Sequence, residues 1–357
     1  MKVLAAKERA TFAAALITAL IALVLRLAHG PTVVAFVISG VSLATLAGVV
    51  GMGTEQIGKR LSPGATGVLQ GALGNLPELM VGIFSLRAGL VTVVQSALVG
   101  SILANTLPVL GLAFVAGGLK NGVQRFNKDQ PRMIATLMML AVSAITVPTL
   151  AANLHTAAER HIGDMSIAVS IVLLIVFACS IPVSLAPGDP ISPDECSIPP
   201  EQHATWPTWL ALAFLIIGAV LSAFVSDWFV DAMQPAIVQL HISQAFTGLV
   251  IVAIAGNAVE NVVGIQFAIR NQQDYAVSLI LNSALQVALA LTPILCLLSF
   301  VIGGAHLTLV MPPLLVAALL LSTLVAIMVV NDGESIWLEG VALIGLYVII
   351  AAAFWWG

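Results

Sequence analysis

Residues 74–83 have the sequence GNLPELMVGI, and residues 256–265 have the sequence GNAVENVVGI. The two stretches lie 182 residues apart and share a Gly-Asn start, a glutamate and a Val-Gly-Ile ending. Each lies within an apolar run, so Glu78 and Glu260 are predicted to lie inside a membrane. A carboxylate at that depth costs about 3 kcal/mol and rarely occurs without a partner or an ion pathway. The two glutamates are therefore candidate functional residues.

The composition around these motifs is that of a membrane protein. Of 357 residues, 60% are hydrophobic and 8% are charged, whereas soluble domains contain about 25% charged residues. A membrane span needs about 20 mostly apolar residues, and runs of that length recur along the chain. The net charge of −4 and the scattered basic residues predict no nucleic-acid partner, and no cofactor motif is present. The predicted fold class is an all-α polytopic membrane protein with the lipid bilayer as its surroundings.

Apolar runs bounded by Gly, Pro and charged residues predict eleven transmembrane helices. They lie near 11–28, 32–52, 65–86, 91–118, 131–150, 163–185, 206–231, 244–269, 275–302, 306–330 and 335–356. If the N-terminus is cytoplasmic, ten basic residues fall in cytoplasmic segments and three outside. The positive-inside rule therefore favours a cytoplasmic N-terminus and an external C-terminus. The compact chain without a long N-terminal extension favours a prokaryotic inner membrane.

An internal repeat relates the two halves of the chain. The 182-residue offset that aligns the two motifs also aligns Ser101 with Ser283 and Leu103 with Leu285. Equivalent helices are five spans apart, an odd number, so the two copies enter the membrane from opposite sides. This predicts a leading helix in residues 1–30, a first five-helix repeat in 31–185, an acidic proline-rich linker in 186–205 and a second repeat in 206–357.

The residues beside the glutamates suit a metal ion. Gly74 and Pro77 are expected to interrupt the helix and free backbone carbonyls. Asn75 and Asn257 each supply an amide oxygen, and carbonyls near Gly74 and Gly256 add more. Six to eight oxygens at about 2.3–2.6 Å suit Ca²⁺, and no His or Cys cluster favours a softer metal.

Protons and a divalent cation compete for the same carboxylates. That competition is the minimum chemistry of a Ca²⁺/H⁺ antiporter, so Glu78 and Glu260 are predicted to serve as both metal ligands and proton carriers. The alternative is that two buried glutamates bond to neighbouring polar groups and only hold helices together. The shared offset and Gly-Asn prefix favour the ion site.

The motifs resemble those of the cation/proton exchanger family, within the calcium/cation antiporter superfamily. The resemblance extends over nearly the whole chain and includes residues 74–79, 94–105, 256–260, 286–293 and 332–350. It implies one leading helix, two inverted five-helix repeats and exchange of Ca²⁺ for H⁺. It also implies that Gln95, Gln286, Ser101 and Ser283 line the site or steady the broken helices.

Three positions depart from the family pattern. Asn261 stands where the family commonly has His, Pro77 where it more often has Thr, and Asn282 begins a stretch that often reads Gly-Ser-Ser-Thr-Gln. These changes leave the choice of cation open beyond a divalent preference.

Three further acidic residues are candidates for an entrance. Glu55 matches an acidic position of the family, although a salt bridge at the interface is an equal alternative. Asp227 and Asp231 lie one helical turn apart on one face, where they could attract cations or form a polar cap.

Other functions remain as alternatives. A sodium-coupled exchanger of the same superfamily would need a sodium gradient, and a passive cation channel would need no counter-ion. An intramembrane hydrolase is disfavoured because no Gly-x-Ser-x-Gly or His-Glu-x-x-His motif is present. The chain is therefore predicted not to be an enzyme.

Overall fold

A computed structural model describes residues 5–58, 60, 73–185 and 206–356. The apolar runs form helices because a helix satisfies its own backbone hydrogen bonds within a bilayer. The helices are α1 (Ala6–Leu27), α2 (Thr32–Gly58), α3 (Leu76–Arg87), α4 (Val91–Ala104), α5 (Leu110–Asn121), α6 (Asp129–Asn153), α7 (Ile162–Leu185), α8 (Thr208–Leu240), α9 (Ala253–Ile269), α10 (Gln273–Gln286), α11 (Thr292–Ser299), α12 (Pro313–Val330) and α13 (Trp337–Trp355).

Three π-helical segments interrupt or precede these helices. Asn105–Val109 joins α4 to α5, Val287–Leu291 joins α10 to α11, and Thr247–Val252 leads into α9 after a short turn, Gln244–Phe246. Two short strands, β1 (Gln124–Arg125) and β2 (Glu334–Ser335), pair antiparallel between the ends of the helices.

Within the described ranges, nine helices are long and apolar enough to cross a membrane. A tenth is added if the bent pair Gln244–Ala258 and Asn261–Ile269 is one span. The chain is thus a multi-pass, all-α membrane protein, which confirms the predicted fold class. The predicted third helix is described only from residue 73, and the predicted linker 186–205 lies outside the described residues.

Three predicted helix boundaries are wrong. The second helix was expected to end at 52, but α2 continues to Gly58. The tenth helix was expected from 306, but α12 begins at Pro313, and residues 306–312 form no helix although Leu307 and Leu309 are fully buried. Side chains replace the missing helical hydrogen bonds there, which hydropathy cannot reveal. The seventh helix was expected to end at 231, but α8 continues to Leu240.

The sequence offset reappears in the helix boundaries. α4 and α10 each have 14 residues and begin 182 residues apart. The five-residue π-helical segments after them are separated by the same offset, as are the last residues of α3 and α9.

Two apolar clusters meet at α3 and α4. The larger contains Leu86 and Leu98 and extends through α5–α7 and α10–α13. The smaller contains Val81 and Val93 and extends through α1, α2 and α8. The first motif and the helix after it therefore lie between two packed bodies.

Candidate functional site

The first motif forms the start of α3. Asn75 occupies the N-cap position and is 6% exposed, and Pro77 lies in the first turn. Proline is favoured there because its missing N–H would be unpaired anyway. Glu78 follows in the same turn and is 3% exposed. The helix N-terminus favours a negative charge at this place, so the interruption expected near Gly74 and Pro77 positions a buried carboxylate.

The second motif lies within α9, where the chain bends. The axes of Gln244–Ala258 and Asn261–Ile269 meet at 66°. A methyl group on Gly256 would lie 3.4 Å from Cβ of Glu78, so the second motif approaches the first closely at this glycine. Asn257 is 1% exposed. The backbone of Glu260 belongs to α9, and its side chain lies outside the described part of the chain.

Ser101 joins the two motifs. This residue of α4 is fully buried, and its hydroxyl donates a hydrogen bond to Oε1 of Glu78. The same hydroxyl accepts a hydrogen bond of 3.0 Å from Nδ2 of Asn257. Residues from two motifs that lie 182 positions apart therefore share one hydroxyl.

A close helix crossing sets the position of Ser101. A methyl group on Gly100 would overlap the carbonyl oxygen of Leu249, and one on Gly248 would overlap the carbonyl oxygen of Val93. Only glycine permits this approach between α4 and the π-helical segment that leads into α9. Because Ser101 follows Gly100 directly, the crossing brings its hydroxyl to the second motif.

Asn105 belongs to the same cluster and was not predicted as a site residue. It is 1% exposed, and its Nδ2 donates to the backbone oxygen of Ser101 at 3.0 Å and to Oγ of Ser283 at 3.3 Å. The spacing of one helical turn from Ser101 could have indicated it.

Two amide oxygens in this cluster are available to a ligand. Oδ1 of Asn105 and Oδ1 of Asn257 are buried and accept no hydrogen bond from the described residues. Amide oxygens are hard ligands of the kind that Ca²⁺ takes. No group of three His, Cys, Asp or Glu side chains suited to a metal occurs in the described ranges, so a cation here would depend on amide, hydroxyl and carbonyl oxygens beside the glutamates.

The two predicted glutamines, Gln95 and Gln286, lie in different surroundings from each other. Gln95 uses its Nε2 to bond the carbonyl oxygens of Thr308 and Val310, at 3.0 and 2.7 Å. It therefore fixes the non-helical segment 306–312 before α12. Gln286 is 7% exposed at the end of α10, where a site-lining role stays a prediction.

The positions that depart from the family pattern are half-buried or buried. Oδ1 of Asn261 is buried without a hydrogen-bond partner in the described part of the chain. Asn282 is half-buried and directly precedes Ser283, which is 4% exposed.

The entrance candidates lie at the surface. Glu55 is exposed near the end of α2. Asp227 and Asp231 both pair with the guanidinium of Arg26 on α1, each at 2.9 Å. The side chain of Arg26 also lies 5.8 Å from the ring centroid of Trp228. This cluster joins α1 to α8, and an entrance role for these residues stays a prediction.

Comparison with known proteins places the chain among ion exchangers. It matches the family described as "Sodium/calcium exchanger protein" over residues 31–186 and 210–356. It is 31% identical over 347 residues to the Ca²⁺/H⁺ antiporter of a Synechocystis species, and the matched region covers 92% of each chain. It is also 31% identical over 338 residues to the Ca²⁺/H⁺ antiporter ChaA of Bacillus subtilis, covering 92% of this chain and 93% of that one.

The fold also resembles that of a known ion exchanger. The structure of native YfkE superimposes with a TM-score of 0.83 at 29% identity and covers 97% of this chain and 99% of that chain. A second structure of this neighbour, with selenium substituted, is described as that of the Ca²⁺/H⁺ antiporter YfkE. The match to the family extends over most of both halves of the sequence, and each half contributes one Gly-Asn motif to the cluster at Ser101. This chain belongs to the sodium/calcium exchanger protein family.

Proposed function

We propose that this protein exchanges Ca²⁺ for protons by alternating access at one site that contains Glu78 and Glu260. The observation that carries the proposal is the hydroxyl of Ser101, which bonds both Glu78 and Asn257. Two motifs that would each be a weak signal alone contribute to one buried polar cluster. Because a membrane interior penalises isolated charges, such a cluster favours a cation pathway over a purely structural role.

The donor set suits Ca²⁺. The carboxylate of Glu78 and the available oxygens of Asn105 and Asn257 are hard ligands, and the carboxylate of Glu260 would add a second charge. Backbone carbonyls near Gly74, Asn75, Gly256 and Asn257 would supply the remainder of six to eight oxygens. Ca²⁺ and protons are then the substrates, and no cofactor takes part.

The relatives support the same pair of substrates. Proteins named Ca²⁺/H⁺ antiporters match this chain over nine-tenths of its length. The family description names sodium, so sodium coupling is the alternative that has to be tested.

The proposed cycle has two open states. When the site is open to the cytoplasm, Ca²⁺ displaces protons from Glu78 and Glu260, and when it is open to the outside, protons displace Ca²⁺. The 182-residue offset shared by α4 and α10 supports two inverted repeats, 31–185 and 206–357, around the site. The basic residues favour a cytoplasmic N-terminus and an external C-terminus. The bacterial relatives from Synechocystis and Bacillus subtilis support a prokaryotic cell membrane as the location.

The test measures the uptake of radioactive Ca²⁺ into liposomes that contain the purified protein. We expect uptake when the interior is acidic and sodium-free, and loss of that uptake in Glu78→Gln. Asp164→Asn is the matched control, because its carboxylate is 84% exposed in the first turn of α7. Uptake that requires internal sodium would identify a sodium-coupled exchanger. Uptake without any counter-ion gradient would identify a channel.

A further inference from the structure

A narrow cavity lies between α3 and α4, and Glu78 and Ser85 of α3 both line it. Its volume is about 10 Å³, which is about the space that one water molecule needs. Glu78, Gly82 and Ser85 line one wall at helical spacing, and the seven other lining residues are apolar. Ser101, Asn105 and Asn257 do not line this cavity.

Ser85 is the polar group at the far end of this cavity. It is fully buried, and its Oγ has no hydrogen-bond partner among the described residues. Buried helical hydroxyls usually bond the carbonyl one turn earlier, as Thr54 does with Val50 at 3.0 Å. A buried hydroxyl that lacks a partner is commonly satisfied by an ordered water, so Ser85 indicates a place for water in the cavity.

The path from Ser85 to the surface is short. α3 ends at Arg87, and Arg87, Ala88 and Gly89 are all exposed. At about 1.5 Å of rise per residue, Ser85 lies about 5 Å from Ala88 along the helix axis. The same rise separates Ser85 from Glu78 by about 10 Å, which a chain of two or three waters would cover.

Leu295 interrupts this path. A methyl group on Gly82 would lie 2.7 Å from Cδ1 of Leu295, so the leucine occupies the space that glycine leaves in the middle of the wall. The open space therefore takes one water in this conformation, and a rotation of Leu295 would admit the others.

The cavity suits protons and excludes Ca²⁺. A calcium ion takes six to eight oxygen ligands, whereas side-chain oxygens along this wall come only from Glu78 and Ser85. Water and one hydroxyl are sufficient for a proton, because each can accept one proton and release another.

We propose that protons reach Glu78 through this cavity by a route that Ca²⁺ does not use. In each transfer a water beside Ser85 receives a proton from the surface side and passes one of its own towards Glu78. The carboxylate becomes a neutral acid, and the water and the serine end unchanged. This route rests on the proposed Ca²⁺/H⁺ exchange. In it, Ser85 positions the water that delivers protons to Glu78, and Leu295 controls how far the water chain extends.

The test compares two activities of the same protein in liposomes. Ca²⁺/H⁺ exchange needs the proton route, whereas exchange of radioactive Ca²⁺ for unlabelled Ca²⁺ needs only the cation route. We expect Ser85→Ala to slow the first by roughly a hundredfold, because this is the lower end of what positioned proton-transfer groups contribute, and to leave the second unchanged. Leu295→Ala should speed the proton-limited reaction.

Ser96→Ala is the matched control. Ser96 is also fully buried, and its Oγ also lacks a partner in the described chain, but it lies outside the cavity. Equal loss of both activities in Ser85→Ala, or the same selective loss in Ser96→Ala, would overturn the route. Wild-type levels of both activities in Ser85→Ala would overturn it as well. Wild-type protein that exchanges Ca²⁺ for Ca²⁺ but shows no proton-driven uptake would instead refute the proposed function.

Discussion

Replacing Ser101 by alanine removes the hydroxyl that connects the two motifs. The substitution deletes its bonds to Glu78 and to Asn257 and leaves the glycine crossing at Gly100 intact. The backbone geometry should therefore persist while the carboxylate and the amide lose their shared partner.

The magnitude follows from the two bonds that are lost. A hydrogen bond to a charged group contributes about 1.5–3 kcal/mol and a neutral one about 0.5–1.5 kcal/mol. A bound cation would itself hold the carboxylate and the amide in place and so recover part of this free energy. We therefore take about 2 kcal/mol as the net loss of Ca²⁺ binding free energy. At 1.4 kcal/mol per factor of ten, the KM for Ca²⁺ should rise about 30-fold.

The assay is the dependence of initial Ca²⁺ uptake on Ca²⁺ concentration in liposomes with an acidic interior. Ser322→Ala provides the control, because Ser322 on α12 is fully buried and its Oγ has no partner in the described residues. A KM in Ser101→Ala that stays within twofold of both the wild type and the control would refute the role of the shared hydroxyl.

Other substitutions test the crossing, the amide oxygens and the surface cluster. Gly100→Ala should destabilise the protein because the new methyl group overlaps the carbonyl oxygen of Leu249. Gly163→Ala is the control, because a methyl group there meets nothing within 4 Å. Thermal unfolding in detergent measures both variants, and equal melting temperatures would contradict the close helix crossing. Asn105→Leu should weaken Ca²⁺ binding by about tenfold, because it removes one candidate ligand oxygen; calorimetry that gives an unchanged Kd would exclude that ligand. Arg26→Gln should lower the free energy of unfolding by less than about 1 kcal/mol, since exposed ion pairs contribute little to stability. A larger loss of stability that high salt does not reduce would contradict this.

The paired glutamate motifs were predictable because their signal lies in the sequence itself. The offset, the shared Gly-Asn prefix and the helix-breaking Pro77 predict a site composed of both halves, and Glu78 and Asn257 do bond the same hydroxyl of Ser101. The bond between Ser101 and Asn257 was not predictable in its geometry. It depends on how closely two helices cross at Gly100, which is a tertiary distance that a repeat cannot specify.

The non-helical segment before α12 shows the limit of hydropathy. Residues 306–312 have the sequence HLTLVMP, which is mostly apolar and lies beside a helix, so composition predicts a helical continuation. Their backbone is instead satisfied by side chains from other helices, such as Gln95 with Thr308 and Val310 and Thr149 with Leu309 at 3.1 Å. Such partners are far away in sequence, and for this reason the helix start was placed too early.

Asn105 was missed for a related reason. It lies in an apolar run at the start of a π-helical segment, where its one-turn spacing from Ser101 is a weak local signal that does not distinguish a ligand from a residue that holds helices together. Its bonds to Ser101 and Ser283 and its available oxygen connect it to the cluster.

The most direct measurement is the stoichiometry of Ca²⁺ binding to purified wild-type, Glu78→Gln and Glu260→Gln proteins. If the two glutamates form one site, the wild type binds one Ca²⁺ with high affinity per chain and each single substitution abolishes that binding. Retention of wild-type binding by either variant would contradict a site shared by Glu78 and Glu260.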